Sequence, residues 1–341
     1  MNYINTDSQS KTLRERAIHV NAREILIAQI VNSSQEKDLA EHANCEGYGR
    51  IRHFRYDKGP NWSANPLPIY PAARALGRQP GLEIRAQVFQ NAACNWRCWY
   101  CFVDDTRLAA TERVARFLKP SQLIEWYLNQ ENPPDVIDLT GGQPDLTPEW
   151  VLWMMEELAK RGLDDKVFLW SDDNLSTYYL WEYLTRDQID FMRDFRNYSR
   201  VACFKGYTPE AFAFNTYARP ELFDRQFDVF KRLLKEGFDT YAYVTFTAVP
   251  DPDLPRNMRK FVSRLQEIHP NLPLRTVPLE VKLYSPTEMR VKKRDDFRSA
   301  LEFQHNVHLA WAEELKRRYS SSELSKPITA ISMNDRDAGS V

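Results

Sequence analysis

Three of the five cysteines in this 341-residue chain lie close together. They are Cys94, Cys98 and Cys101 in the stretch "CNWRCWYC", and their spacing is C-x3-C-x2-C. Three thiolates this near in sequence can each bind one iron of a cubane iron–sulfur cluster, which leaves the fourth iron without a protein ligand. The spacing therefore predicts a metal centre with one open coordination position.

Zinc is the main competing interpretation of these cysteines. A structural zinc site usually has four ligands, often supplied as two C-x2-C pairs. No fourth Cys or His lies near in sequence, and the closest upstream histidine is His53. The sequence thus favours an open site over a closed zinc site, and a set of buried structural thiols is the remaining alternative.

Two polar segments follow later candidate strands. "DLTGGQPDL" contains Gly141, Gly142 and Gln143, and "WSDDNLS" contains Asp172 and Asn174. Paired glycines let a backbone approach a ligand closely, although the same residues suit an ordinary β-turn. Asp and Asn can contact a ligand or cap a helix equally well. Both segments are therefore candidate binding residues, with these structural alternatives left open.

Cys203 and Lys205 end a further candidate strand, "RVACFK". Alternation puts both side chains on one face of the strand, so if Lys205 points inward, Cys203 does too. A lone buried cysteine usually behaves as a small hydrophobic residue. The alternative is that Cys203 donates a hydrogen atom or makes a contact that tunes the site.

Short apolar segments alternate with amphipathic helices from Leu82 onward. This alternation predicts an α/β fold in which right-handed crossovers curl a parallel sheet into a partial (βα)6 barrel of the TIM type. Chemistry in such folds lies at the carboxyl ends of the strands, where the polar segments are found. The candidate strands are residues 82–89, 135–140, 166–171, 200–205, 240–249 and 274–281.

The remainder of the chain flanks this barrel. Residues 1–81 contain a helical pattern around Leu13–Val31 and then a proline-rich stretch. They predict an N-terminal extension that packs on the barrel, covering its mouth or joining the substrate pocket. Residues 82–320 form the predicted barrel, and residues 321–341 form a polar C-terminal tail.

Composition narrows the class of protein. The formal net charge is −1, so no overall charge draws the chain to nucleic acid. No apolar run is long enough to span a bilayer, and the odd cysteine count does not suggest a secreted disulfide framework. We expect a cytoplasmic protein without a nucleic-acid partner or a membrane contact.

The cysteine loop resembles that of the radical S-adenosylmethionine (SAM) superfamily, including Tyr100 before the last cysteine. The resemblance implies a [4Fe–4S] cluster on Cys94, Cys98 and Cys101, whose open iron chelates the amino and carboxylate groups of SAM. It further implies reductive cleavage of SAM to a 5′-deoxyadenosyl radical that abstracts hydrogen from a substrate. An electron donor such as flavodoxin or ferredoxin is implied as well.

The glycine segment is similar to another motif of that superfamily. Gly141-Gly142-Gln143-Pro144 resembles the glycine-glycine-glutamate-proline motif that contacts the SAM amino group, with Gln143 in place of glutamate. An amide oxygen can still accept from an ammonium, but without charge assistance. The resemblance thus assigns these residues, together with Tyr100, to cofactor binding.

Two further segments resemble those of glycyl-radical (pyruvate formate-lyase) activating enzymes. Asp172 and Asn174 match a segment implied to bind the SAM ribose and carboxylate, and Leu175 stands where that segment has glycine. "CFKGYTPEAF" resembles an aspartate-leucine-lysine-glycine segment, with Lys205 at the lysine and Cys203 at the aspartate. Cys203 and Lys205 are therefore the candidate catalytic residues.

Three functions remain as alternatives. The first is a single-cluster radical SAM enzyme acting on a small molecule or peptide, which a lid formed by residues 1–81 favours. The second is an activating enzyme that installs a glycyl radical on a partner protein, although Gln143, Leu175 and Cys203 depart from that pattern. The third is a non-catalytic iron–sulfur or zinc protein on the same fold.

Overall fold

The computed structural model describes residues 3–57 and 62–333. Within them the strands are β1 (Ile18–His19), β2 (Glu24–Ala28), β3 (Gly49–Arg55), β4 (Glu83–Phe89), β5 (Ala115–Leu118), β6 (Val136–Leu139), β7 (Phe168–Asp173), β8 (Tyr198–Phe204), β9 (Thr240–Thr245) and β10 (Thr276–Leu279). The α-helices are α1 (Thr6–Ala17), α2 (Ile69–Ala75), α3 (Pro120–Leu128), α4 (Pro148–Lys160), α5 (Tyr179–Tyr183), α6 (Arg186–Asp194), α7 (Pro209–Thr216), α8 (Phe223–Lys235), α9 (Leu254–Ile268), α10 (Ser285–Val291), α11 (Asp295–Arg318) and α12 (Ser321–Leu324).

The described residues form a curled main sheet of seven strands in the order β10-β9-β8-β7-β6-β4-β3. Neighbouring strands from β4 to β10 run parallel, whereas β3 pairs antiparallel with β4 at one edge. The predicted α/β fold with a mostly parallel, curled sheet is confirmed. Every candidate strand is present, and β3 is an edge strand that the sequence did not predict.

The main sheet has an outer face covered by helices. Ile137, Leu169 and Phe204 on this face pack in one core with α4 and α8. Phe227 and Phe230 from the aromatic stripe of α8 are buried there. Apolar residues at helical spacing form a continuous stripe that is removed from water only against the sheet, so this stripe is core.

The opposite, inner face carries a separate apolar cluster. Alternation along the strands points every second side chain to this face. The cluster includes Ala86, Val136, Trp170, Val201 and Tyr241. These residues lie toward the middle and amino ends of the strands, so the polar segments are left at the carboxyl ends.

The N-terminal segment differs from its predicted form. The expected helical pattern around Leu13–Val31 was wrong beyond Ala17, where α1 ends. Residues 18–28 instead form the β1–β2 hairpin, and β2 pairs with β5. "EILIA" in β2 is rich in β-branched residues and almost entirely buried, which favours a strand over an amphipathic helix.

The segment after β3 crosses the inner face of the main sheet. Ile69 and Ala72 belong to the inner cluster, and Asn65 Nδ2 donates to Tyr243 Oη at 3.1 Å. Trp62 Nε1 donates to the Pro278 carbonyl at 3.1 Å. This segment therefore covers one side of the inner face.

The C-terminal segment also packs on the fold. Ile328 and Ile331, from the predicted polar tail 321–341, are buried. The rest of that tail, 334–341, and residues 1–2 and 58–61 of the predicted extension lie outside the described residues. No helix in the described part of the chain is both long enough and apolar enough to span a membrane.

Candidate functional site

The cysteine loop follows β4 at the carboxyl end of the sheet. Cys94, Cys98 and Cys101 are free, half-buried thiols on this loop. A backbone hydrogen bond from Cys94 N to Leu108 O, at 3.1 Å, joins the loop to its surroundings. A second one, from Cys101 N to Cys98 O at 2.9 Å, closes a turn within the loop. The Arg290 guanidinium donates to the carbonyl of Cys101. Leu108 thus holds the start of the loop in place, and Arg290 holds its end.

Aromatic and basic residues between the cysteines brace the loop from within. Trp96 and Trp99 are each 1% exposed, and their indole N–H groups donate to Thr6 Oγ1 at 3.2 Å and to Asn215 Oδ1 at 3.0 Å. Arg97 donates to the carbonyl oxygens of Cys94 and Trp96. These side chains have structural partners that explain their presence beside the thiols.

The donor chemistry of the loop fits a [4Fe–4S] cluster. In the described residues no three His, Cys, Asp or Glu side chains are arranged around a single ion position. A cubane takes each thiolate on a different iron, so its three cysteines need not converge on one point. Burial raises the pKa of Cys98 to about 12 and also raises that of Cys101. Iron binding must therefore displace their protons.

The glycine turn packs directly on the segment that leads into Cys94. Gly141 and Gly142 have φ angles of +80° and +72°, which favour glycine. A Cβ on Gly142 would lie 2.2 Å from the Asn91 carbonyl oxygen and 2.7 Å from that of Ala93. The glycines therefore have a packing reason of their own, and their contact with SAM stays a prediction.

Both polar groups of the Gln143 side chain make hydrogen bonds within the protein. Its Nε2 donates to Asp173 Oδ1 at 2.8 Å, and its Oε1 accepts from the Asn174 backbone N–H at 2.9 Å. The residue is 1% exposed. The amide oxygen accepts one bond here and has a second lone pair, so its contact with the SAM ammonium stays a prediction.

Asp172 and Asn174 flank Asp173, the residue whose carboxylate accepts from Gln143. Asp172 accepts a hydrogen bond from Thr140, and burial raises the pKa of its carboxyl group. Asn174 Nδ2 donates to Asn95 Oδ1 at 3.0 Å and lies 3.9 Å from Cys94 Sγ. The structure brings the β7 segment against the cysteine loop, and the predicted ribose and carboxylate contacts remain predictions.

Leu175 keeps the backbone shape expected of the glycine it replaces. Its φ angle is +61°, in the left-handed region that L-residues other than Asn and Asp seldom adopt. Its side chain is fully buried in the outer core. Packing of the buried leucine offsets the backbone strain at this position.

A buried cluster of charged residues that the sequence did not reveal links the segment after the glycine turn to the end of β7. Arg200 on β8 is fully buried and pairs with Asp145 and with Asp173 Oδ2, the latter at 3.3 Å. It lies on the outer face, because it alternates with the inward-facing Val201. Arg200 therefore joins the glycine turn to the end of β7. The one available signal was an arginine at the start of the apolar "RVACF".

Cys203 and Lys205 lie on the inner face at the end of β8. Cys203 is 7% exposed in the inner cluster, and Lys205 lies near it. Burial by itself would lower the pKa of Lys205, but Cys203, Tyr100 and Cys98 raise it well above its usual value. Tyr100 Oη is 2.8 Å from Thr245 Oγ1. A lysine cation thus faces the cysteine loop from the adjacent strand ends.

Comparison with known proteins decides the family. A family model described as the radical SAM superfamily matches residues 91–265, which is 175 of the 341 residues. The chain belongs to the radical SAM superfamily. The protein is therefore a radical SAM enzyme, its cofactors are a [4Fe–4S] cluster and SAM, and it requires an electron donor and a substrate.

The chain is similar in sequence to a curated protein and in part of its fold to a solved structure. The chain is 26% identical over 180 residues to 7-carboxy-7-deazaguanine synthase of Methanothermobacter thermautotrophicus, covering 52% of this chain and 68% of that protein. Among solved structures, SuiB of Streptococcus suis bound to S-adenosylmethionine matches with 14% identity and a TM-score of 0.36. That match covers 52% of this chain and only 35% of SuiB.

Proposed function

We propose that this radical SAM enzyme abstracts hydrogen from a small molecule or short peptide bound on the inner face of the sheet. The observation that carries the proposal is the segment from Trp62 to Ala72, which covers that face. A covered pocket admits a small substrate and excludes water from a reactive intermediate. The relative named 7-carboxy-7-deazaguanine synthase makes a small molecule, which supports the same substrate class.

The chain's own residues supply ligands, orientation and charge. When bound, the cluster and SAM supply an electron and a 5′-deoxyadenosyl radical. We assign Cys94, Cys98 and Cys101 as iron ligands, and the Asn174 amide beside Cys94 holds that thiolate in position. The backbone of Gly141–Gln143 binds the amino end of SAM in this proposal.

Residues on the inner face complete the proposed cofactor and substrate contacts. Asp172 binds the ribose or carboxylate region of SAM, and Tyr100 orders the loop through Thr245. Lys205 faces the substrate and neutralises negative charge near the thiolates. Cys203, next to Lys205, is placed to donate a hydrogen atom or to contact the substrate.

One other function stays as an alternative to this proposal. An activating enzyme would admit a glycine loop of a partner protein, and the resemblance of the β7 and β8 segments to such enzymes supports it. The third function considered from the sequence, a non-catalytic iron–sulfur or zinc protein, does not agree with membership of an enzyme superfamily. For the leading proposal we expect a cytoplasmic enzyme reduced by a flavodoxin or ferredoxin.

The substrate class can be tested by fractionating the native host's cell extract. The reconstituted enzyme, with dithionite and SAM, is given either the protein-free small-molecule fraction or the macromolecular fraction. We expect the small-molecule fraction to stimulate 5′-deoxyadenosine formation and the macromolecular fraction to have no effect. Stimulation by the macromolecular fraction alone would overturn the proposal in favour of the activating enzyme.

The role of Cys203 is tested by Cys203→Ala in the same assay. If the thiol takes part in the reaction, stimulation by the small-molecule fraction falls about tenfold, which corresponds to about 1.4 kcal/mol in the barrier. Cys203→Ser, which keeps the volume but not the weak S–H bond, is expected to behave similarly. Full stimulation in both variants would reduce Cys203 to a packing residue of the inner cluster.

A further inference from the structure

The edge strand β3 places two arginines on the inner face of the sheet. Arg50 pairs in register with Val88 of β4, and Arg52 pairs with Ala86. Ala86 belongs to the inner cluster, as does Phe54, which follows the arginines at the same alternation. The guanidinium groups therefore point into the concave side of the sheet, where an apolar environment would be expected.

Asp138 on β6 faces the same space. Val88 pairs in register with Asp138, so Arg50, Val88 and Asp138 form one row across three strands. The backbones of the outer two strands are about 10 Å apart, at about 4.8 Å per strand. Arg52 Nη1 lies 3.5 Å from Asp138 Oδ2, so the side chains converge in front of Val88.

Arg50 and Asp138 lack the hydrogen bonds that buried charged groups normally have, and the 3.5 Å ion pair with Arg52 is the one charged contact of Asp138 among the described residues. Arg50 is 7% exposed, and among the described residues it makes no hydrogen bond or ion pair; its guanidinium lies 5.3 Å from the ring of Phe102. Asp138 is fully buried, and neither oxygen has a hydrogen-bond partner there. Burying a charged group without hydrogen bonds destabilises the folded protein, so such groups call for an explanation, such as a role in binding.

The row lies next to the proposed cofactor site. Asp138 precedes the Gly141 turn by three residues, and Asp172 is the last residue but one of the adjacent strand β7. The Arg52 side chain is 35% exposed, so the space in front of the row is open to solvent on that side. A molecule seated on the row would lie one layer of side chains below the residues assigned to SAM.

We propose that Arg50, Arg52 and Asp138 anchor the substrate, a small molecule that carries a carboxylate with an N–H donor close to it. This inference rests on the proposed function and names its substrate class. Two guanidinium groups match the paired oxygens of a carboxylate. Asp138 accepts from the N–H group, and its own negative charge disfavours the second charge of a phosphate dianion.

The competing explanation is a closed structural network. In that case Arg50, Arg52, Asp138 and Asp172 would balance one another without a ligand. Burial and the neighbouring Asp172 raise the pKa of Asp138 to about 8, although Arg52 and Arg50 act to lower it. A ligand N–H group would favour the ionised carboxylate.

Binding is measured on the reconstituted protein with SAM and without reductant, by calorimetry and thermal shift. The probes are the standard L-amino acids against their carboxamides, and orotate against uracil. We expect at least one acid to bind at least tenfold more tightly than its neutral counterpart. We also expect Arg50→Gln and Arg52→Gln to remove that preference. Arg55→Gln, an exposed position on the outer side of the same strand, should retain it.

Two results would overturn the inference. One is a wild-type protein that prefers no acid over its neutral counterpart. The other is an Arg50→Met protein with a markedly lower Tm, since a structural network would be broken, whereas removal of an unpaired buried charge leaves the Tm equal or higher. Because binding is read without turnover, carboxylate binding by a protein that never cleaves SAM would reject the proposed function alone.

Discussion

Cys98→Ala is expected to lower 5′-deoxyadenosine formation from SAM by at least about 1,000-fold. Changes in the outer shell of a metal site already cost about 10- to 100-fold in affinity or activity, and this change removes a ligand itself. Cys98 lies between the other two thiols on a loop held at both ends, so no other cysteine can take its place. Iron content, visible absorption and chromatography of the nucleoside products measure the effect.

Cys45→Ala is the matched control for that experiment. Cys45 is also a free, half-buried thiol, but it lies in the short turn before β3 and is not part of the cysteine loop. The control should retain about four irons per chain and the activity of the wild type. A Cys98→Ala protein that kept its iron and cleaved SAM normally would contradict the assignment of the cluster ligands.

Gly142→Ala is expected to destabilise the protein by about 3 kcal/mol or more and to lower SAM cleavage by about 100-fold. The new Cβ would overlap the carbonyl oxygens of Asn91 and Ala93, which are backbone atoms that cannot rotate away. Strain at positive φ adds about 1–2 kcal/mol, and overpacking adds about 1–3 kcal/mol. Displacing the turn by about 1 Å from the cysteine loop is enough for a loss of activity of that size.

Gly162→Ala separates the backbone strain from the overlap. Gly162 also has a positive φ, of +63°, but a Cβ there meets nothing within 4 Å. Its Tm should fall by only a few degrees, whereas that of Gly142→Ala should fall by about 5 °C or more. Equal Tm losses in the two variants, with SAM cleavage intact in both, would show that the close approach of the turn to the loop is unimportant.

The fold was predictable where local pattern and global architecture agree. Apolar runs such as "KVFLWS" between helices with regular stripes could form little other than buried parallel strands. The β1–β2 hairpin was missed because β2 is also paired on its other side with β5, about 90 residues later. The antiparallel edge strand β3 was missed for a similar reason, since "GRIRHFR" has too many charges to be read as a strand that faces a barrel interior.

The candidate site shows the same division between local and distant information. The cysteine spacing and the glycine pair are local signals, so both segments were found from the sequence. The hydrogen-bond partners of Gln143 lie about 30 residues away in the sequence. Arg200 and Asp145, which form an ion pair, are separated by 55 residues. Arg50 and Arg52 lie close to Asp138 only because β3 and β6 flank β4 in the sheet.

The central claim is that three cysteines hold a cluster with one iron open to SAM. Electron paramagnetic resonance of the reduced, reconstituted protein, recorded with and without SAM, tests it most directly. The account predicts a [4Fe–4S]⁺ signal whose g values shift when SAM is added, accompanied by 5′-deoxyadenosine. A signal that SAM leaves unchanged, with no 5′-deoxyadenosine formed, would contradict it.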